Sequence, residues 1–106
     1  MIEVGWGTMA EPRHWYLVMY DVSNERTLKS VHKLLTGWGS PVQYSVFRVR
    51  CTSRESERLR WELTKLIDTE DRLMFVRLCE SCASRVTVHG SQLDPFPSEQ
   101  PPFRVL

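Results

Sequence analysis

A single carboxylate stands at the end of the most apolar run in the sequence. Residues 15–20 are all apolar or aromatic, and Asp21 follows them directly. Carboxylates are ligands that Mg²⁺ prefers, and this cation keeps several waters and takes further ligands from phosphate oxygens. One Asp21 from each of two subunits could therefore hold a cation that relieves their mutual repulsion and polarises a phosphodiester. The other interpretation is that Asp21 caps a helix that begins near Asn24.

Cysteine and histidine are the other residue types that could do chemistry. Cys79 and Cys82 have the spacing of half a zinc site, whereas a closed tetrahedral site needs four ligands. An odd number of cysteines without an export signal favours free thiols, so we interpret the pair as closing a turn after a strand. No second closely spaced pair, and no partnered general base, exists among the remaining candidates, which are Cys51, His14, His32 and His89.

Basic and hydroxyl side chains form a third group, suited to phosphate. Arg26, Lys29 and Lys33 recur at intervals of three and four, which places them on one face of a helix. This basic stripe is either an ordinary solvated face or a set of phosphate contacts. Tyr44 and Ser45 could donate hydrogen bonds to a phosphate, although a serine between the apolar residues of a strand usually faces solvent.

The elements that would position these residues follow from the spacing of apolar side chains. Residues 15–20 indicate a central strand that is buried on both faces. Residues 24–38 carry apolar side chains at intervals of three and four, which predicts a helix. Ser23 could cap its start, and Gly37 and Gly39 are expected to end it by adopting the left-handed conformation.

The second half of the sequence predicts further strands around a second helix. Residues 42–51 change apolar phase, which requires a bulge, a bend or a break into two short strands. Thr52 and Glu55 have the spacing of a capping box. Residues 73–79 and 85–89 each predict another strand. The second helix is predicted to bury Leu59, Leu63, Leu66 and Ile67, with Trp61 on the opposite side.

Length and composition predict one cytoplasmic domain. The chain has 106 residues, of which 42% are hydrophobic and 25% charged. A net charge of +1 gives no overall attraction to polyanions, so nucleic-acid binding must depend on local patches. No apolar run approaches the roughly 20 residues that span a bilayer. We predict a mobile arm over residues 1–14, a domain over 15–90, and a proline-rich tail over 91–106 that floats or docks on a partner.

The order of the elements predicts an α+β fold. Two strand-helix-strand units give a ferredoxin-like βαββαβ sandwich, with two helices on one face of an antiparallel sheet. The other face needs a cover, and a second copy of the chain is the simplest one, which predicts a homodimer through the sheet face. Phe47 could lie at that dimer interface, or equally in the core under a helix.

Two segments at a characteristic spacing resemble a known family. The run from Tyr16 to Val22, which contains Tyr-Asp21, precedes a helix ending in glycine, and Gln43-Tyr-Ser-Val-Phe47 follows. Together with a charged helix and the strand over 73–79, they resemble the Cas2 family of small CRISPR-associated proteins, from about Tyr16 to His89. The sequence departs from the family pattern at Pro41, where members often carry a basic residue. The basic residues of its first helix also stand in shifted positions.

The resemblance implies both a function and a site. It implies a ferredoxin-like homodimer that acts in spacer acquisition, with a CRISPR spacer integrase and nucleic acid as partners. It also implies Mg²⁺-dependent endonuclease activity of the kind reported for some members, with Asp21 as metal ligand and catalytic residue.

Two hypotheses follow. In the first, which we rank higher, the dimer bridges integrase subunits and lies along the backbone of duplex DNA. In the second, paired Asp21 carboxylates hydrolyse phosphodiesters in RNA or DNA. An alternative is a ferredoxin-like RNA-binding module or a toxin-type endoribonuclease without a role in integration. A module of that kind needs aromatic residues on exposed sheet positions, whereas the aromatic residues here cluster in the first strand.

Overall fold

The computed structural model describes residues 11–90 and residue 96. Seven elements follow one another along these residues in the order strand, helix, strand, strand, helix, strand and a short helix. They are β1 (Arg13–Asp21), α1 (Glu25–Thr36), β2 (Gly39–Gln43), β3 (Val46–Thr52), α2 (Ser53–Thr64), β4 (Arg72–Leu78) and α3 (Glu80–Ala83).

The four strands form one antiparallel sheet in the order β2-β3-β1-β4. β1 is a central strand, and Tyr16 lies between Val49 of β3 and Arg77 of β4. This arrangement confirms the ferredoxin-like βαββαβ fold. β1 begins at Arg13, two residues before the predicted boundary, because its ladder with β3 extends to the pair Arg13 and Thr52.

One face of the sheet packs against both helices. Tyr16, Val18 and Tyr20 alternate along β1 and are buried, as a strand period of two requires when one face is covered. A buried apolar side chain of this size stabilises the fold by about 1.5–3 kcal/mol. Contributions from β3 and the helices complete the core and include Phe47, Val49, Val31, Leu35, Leu59 and Leu63.

The predicted ends of α1 are partly wrong. Asn24, not Ser23, caps the helix, because its side-chain oxygen accepts a hydrogen bond from the backbone N–H of Thr27 at 3.0 Å. Gly37 is right-handed, with φ of −77°, so the left-handed ending does not occur. Gly39 is required for a different reason: a Cβ atom there would lie 1.9 Å from the backbone oxygen of Arg48.

The change of phase after residue 42 is a break into two strands. Tyr44 and Ser45 form the turn between β2 and β3, and Ser45 has a φ of 64°, in the left-handed region. The capping box of α2 is confirmed, since Thr52 and Glu55 exchange hydrogen bonds of 3.0 and 3.1 Å between their side chains and backbone N–H groups. Trp61 is exposed as predicted, but Leu66 lies beyond the helix end and is exposed rather than inward.

The predicted strand over residues 85–89 is wrong. The chain turns into α3 directly after β4, and residues 86–88 have no regular structure. The alternation of polarity is present, but α3 redirects the chain directly after β4, so that within the described residues this segment pairs with none of the four strands and the outer edge of β4 stays uncovered by it.

Only a little of the predicted arm and tail falls within the described residues. Phe96 is buried, and its ring packs edge-on against Trp15 with the centroids 5.3 Å apart. The remaining residues of the arm and tail, 1–10, 91–95 and 97–106, lie outside the described residues. Within the described residues, no helix has the length and apolar character that crossing a membrane requires.

Candidate functional site

Asp21 is the last residue of β1 and is exposed. It lies opposite Arg72 in the register between β1 and β4. Asn24 supplies the cap of α1, and among residues 11–90 and 96 no hydrogen bond or ion pair engages the Asp21 carboxylate. The capping interpretation is therefore wrong, and the carboxylate is available to a ligand.

A second carboxylate lines the same cleft as Asp21. We call this space of about 610 Å³ the acidic cleft. Asp71 forms part of its wall, and its Oδ2 accepts a hydrogen bond from the backbone N–H of Asp68 at 2.9 Å. The remaining wall residues are Met19, Tyr20, Arg72, Leu73 and Met74.

The acidic cleft offers hard oxygen ligands but an incomplete set. The described part of the chain gathers no group of three or more histidine, cysteine, aspartate or glutamate side chains that could hold a metal. Mg²⁺ needs only one or two carboxylates when waters and phosphate oxygens complete its shell. Asp21 is therefore suited to bind Mg²⁺, provided that a phosphate or a second copy of the chain supplies the remaining ligands.

A second cleft lies between α1 and the turn that joins β2 to β3. We call this space of about 370 Å³ the turn cleft. It brings together Lys29, Tyr44 and Ser45, three of the residues predicted to contact nucleic acid. The complete lining is Tyr20, Leu28, Lys29, His32, Pro41, Gln43, Tyr44, Ser45 and Phe47.

Tyr20 joins the two clefts, because it lines both. Its backbone N–H donates a hydrogen bond of 3.2 Å to the backbone oxygen of Ser45, which fixes the turn against the end of β1. Burial, and after it the neighbouring Tyr44, raises the pKa of the Tyr20 phenol. The Tyr20 hydroxyl therefore stays protonated and able to donate a hydrogen bond.

Other predicted residues are placed elsewhere. Arg26 is exposed in the first turn of α1 and lines neither cleft, while Lys33 borders a separate groove beside Trp38. Phe47 is 1% exposed and packs under α1, with its ring 5.3 Å from His32. Phe47 thus takes the second of its two alternatives, the core, and offers no surface to another subunit.

Several residues of the two clefts were not among the predicted site residues, including Arg72 and the three that follow. His32 follows Lys29 by three positions on α1, so helical spacing alone could have placed it beside the predicted basic residue. Gln43 was noted only as part of a motif. Asp71 had no local signal, because it reaches Asp21 only through the pairing of β4 with β1.

The sheet face away from α1 and α2 is the open face. Met74 on it is 57% exposed. The guanidinium carbons of Arg48 and Arg50 lie 5.9 and 5.4 Å from the centroid of the Trp15 ring, within the range of cation–π interactions. Along β1, β3 and β4, the open face presents Trp15, which is in contact with Phe96, together with Leu17, Met19, Val46, Arg48, Arg50, Met74, Val76 and Leu78.

Cys79 and Cys82 form a local turn after β4. The Sγ atom of Cys79 accepts a hydrogen bond of 3.3 Å from the backbone N–H of Cys82 and caps α3. Both thiols are exposed, whereas Cys51 is buried in the core. The interpretation of the pair as closing a turn after a strand is confirmed.

The comparisons with known proteins agree with one another. Residues 14–86 match the family model described as CRISPR associated protein Cas2. The CRISPR-associated endoribonuclease Cas2 1 of Chloroflexus aurantiacus is 36% identical over 87 residues, which cover 80% of this chain and 94% of that relative. The crystal structure of Streptococcus pyogenes Cas2 is 34% identical, with a TM-score of 0.65, and the match covers 72% of this chain and 99% of that one.

A third comparison concerns the fold alone. A chain of the solved partial Cas6-RT-Cas1–Cas2 complex is 22% identical, with a TM-score of 0.66, over 83% of this chain and 94% of that one. The resemblance carried by Tyr-Asp21 and by residues 43–47 is confirmed by the family model, which contains both segments. The chain belongs to the family of CRISPR-associated proteins Cas2.

Proposed function

We propose that the chain acts in CRISPR spacer acquisition as a homodimer that bridges integrase subunits and binds the backbone of nucleic acid. The observation that carries this proposal is the hydrogen bond between the Tyr20 N–H and the Ser45 oxygen. It fixes a cleft containing Lys29 against the strand end that bears Asp21. Positive charge, hydroxyl donors and a carboxylate free for a cation are the groups that hold phosphates in proteins.

The open face supports the homodimer. It combines apolar side chains with the cationic pair around Trp15, and Met74 exposes more than half of its surface. Apolar surface of this kind is stabilised by packing against a second copy. Met74→Asp should therefore shift the protein towards monomers in sedimentation equilibrium, whereas Trp61→Asp on the outer side of α2 should not. Equal assembly of wild type and Met74→Asp would contradict a dimer through this face.

DNA binding is tested by salt dependence. If the chain contacts phosphates, the affinity for a short duplex should fall steeply as salt rises, because each contact releases counterions. Asp21→Asn should leave this dependence unchanged. Binding that is insensitive to salt would contradict backbone recognition.

A second candidate function is phosphodiester hydrolysis. Asp21 has no partner among the described residues, and the Chloroflexus aurantiacus relative is named an endoribonuclease. When bound, Mg²⁺ would lower the pKa of a water molecule and polarise the phosphodiester. Asp21 would hold this cation, with the same residue of a second copy or with Asp71 nearby. Lys29 and the Tyr20 hydroxyl would orient the phosphate from the turn cleft.

Asp21→Asn tests this activity with the fold preserved, because the side chain is exposed and nearly the same size. We expect metal-dependent cleavage of RNA or DNA to be lost while duplex binding remains. Glu70→Gln is the matched control, since it removes an exposed carboxylate from the loop before β4. Cleavage that survives in Asp21→Asn, or in the presence of a chelator, would contradict the role of Asp21.

A further inference from the structure

We propose that the turn cleft takes one unstacked nucleotide of a single strand, with its base against Tyr44 and its phosphate beside Lys29. This inference rests on the proposed binding of nucleic acid and names the ligand of one part of that surface. The cleft of about 370 Å³ falls within the range of about 300–1,000 Å³ that small-molecule sites occupy.

The chemistry of the walls matches a nucleotide. The lining includes apolar side chains, among them Leu28 and Pro41, which can contact the face of a base. Polar groups stand among them, including the Lys29 ammonium and the Gln43 amide. An amide carries both donors and an acceptor, so it can pair with the edge of a base. No carboxylate lines the described cleft, so its charge suits a phosphate.

The exposure of the Tyr44 ring is a second, independent observation that supports a base in the turn cleft. Its side chain is 84% exposed, more than any other large apolar residue in the described part of the chain. It stands next to Ser45, whose backbone is in the left-handed region that non-glycine residues rarely adopt. Backbone strain of this kind is retained where the surrounding structure enforces it, often at ligand sites. An exposed ring held at a fixed turn is the usual platform for stacking a base.

A nucleotide fits this cleft better than an apolar side chain of a protein partner. An apolar side chain would cover the Lys29, His32 and Gln43 groups without offering them hydrogen bonds, and burying such groups unpaired is costly. A base inside a duplex is stacked on both faces and cannot enter, so the ligand must be single-stranded, frayed or flipped out.

The test uses a short single strand that contains one 2-aminopurine, whose fluorescence is quenched when it stacks. Wild type should quench the probe and bind the single strand. Tyr44→Ala should weaken single-strand binding by at least about fivefold and abolish quenching, since base stacking on an aromatic ring has roughly that effect or more. Tyr44→Phe should retain both, because it keeps the ring. Duplex binding should change less than about twofold, since backbone contacts do not use the ring.

Trp61→Ala is the control, because Trp61 is exposed on α2 and lines neither cleft. Equal losses for single strand and duplex in Tyr44→Ala would overturn the base pocket and leave backbone binding in place. Unquenched fluorescence on binding to wild type would also overturn it and would favour a protein side chain as the occupant. If wild type bound neither form, the proposed nucleic-acid function would fail as well.

Discussion

The backbone N–H of Tyr20 lies 3.2 Å from the backbone oxygen of Ser45, to which it donates a hydrogen bond. This contact joins the end of the central strand β1 to the tip of the β2–β3 hairpin, and it lies outside the regular ladder between β1 and β3. It holds the residue before Asp21 against the residue after Tyr44. Tyr20 itself lines both the acidic cleft and the turn cleft.

The left-handed backbone of Ser45 predicts a strong dependence on residue type. At a φ of 64°, a β-branched side chain collides with the backbone, while glycine does not. We expect Ser45→Val to lower the free energy of unfolding by about 1–3 kcal/mol, and Ser45→Gly to change it by less than about 1 kcal/mol. Urea denaturation measures both. Equal stability of the two variants would contradict strain at this turn.

Gly39 should be far less tolerant than Gly37, although the two are only two residues apart. A Cβ atom at Gly39 would lie 1.9 Å from the Arg48 backbone oxygen, whereas one at Gly37 would make an ordinary contact at 3.5 Å. Gly39→Ala must displace β2 from β3, and we expect a loss of about 1–3 kcal/mol or more in unfolding free energy. Gly37→Ala should be neutral or stabilise by up to about 1 kcal/mol. Thermal and urea unfolding of the pair would show the contrast.

The sequence predicts local features of the fold well where the signal is contained in a few residues. The capping box of Thr52 and Glu55 and the break after residue 42 are of this kind. The strand expected over residues 85–89 does not form because the chain enters α3 directly after β4 and the segment then pairs with none of the four strands of the described sheet, which a local alternation of polarity does not encode. The prediction that Leu66 is buried is wrong, because the apolar spacing continues in the sequence past the residue at which α2 ends.

For the candidate site, too, single residues could be predicted from the sequence but their grouping could not. Asp21 is a candidate because of its place at the end of an apolar run together with the family resemblance, and Lys29, Tyr44 and Ser45 are candidates because of their residue type. Their grouping was not predictable, because the turn cleft is built by α1 and the whole β2–β3 hairpin together with one residue of β1. Asp71 and Asp21 share a cleft only through the register between β4 and β1, which no local pattern encodes.

Lys29 should contribute one phosphate contact to nucleic-acid binding. We expect Lys29→Ala to weaken binding to single strand and to lower the slope of log affinity against log salt by roughly one contact's share, slightly less than 1. Lys65→Ala is the control, because this lysine stacks 3.9 Å from the Trp61 ring, away from the turn cleft. The affinity of each variant is measured across a series of salt concentrations. Equal affinities and equal salt slopes for Lys29→Ala and Lys65→Ala would contradict this role.

The three thiols should react in a defined order. The hydrogen bond from the Cys82 N–H, with that from the Cys82 side chain, lowers the pKa of Cys79, while Cys79 raises the pKa of Cys82. Because the thiolate is the reactive form, Cys79 should be alkylated faster than Cys82 near neutral pH. Cys51 should react only on unfolding, since it is 2% exposed. Peptide mapping after timed alkylation measures the order, and faster reaction of Cys82 would contradict it.

The buried Cys51 thiol should also make the free energy of unfolding depend on pH in the alkaline range. Burial raises the pKa of this thiol from 9.0 to about 11, with Glu55 adding to the effect. The folded state therefore holds its proton more tightly than the unfolded state, and this contribution is complete below the unfolded pKa. Unfolding free energy should fall as pH rises from about 9 towards 11, where the unfolded thiol ionises first. In Cys51→Val, which keeps a small apolar side chain in the core, the fall should be smaller by this contribution, and an identical pH profile for the two proteins would show that another group is responsible.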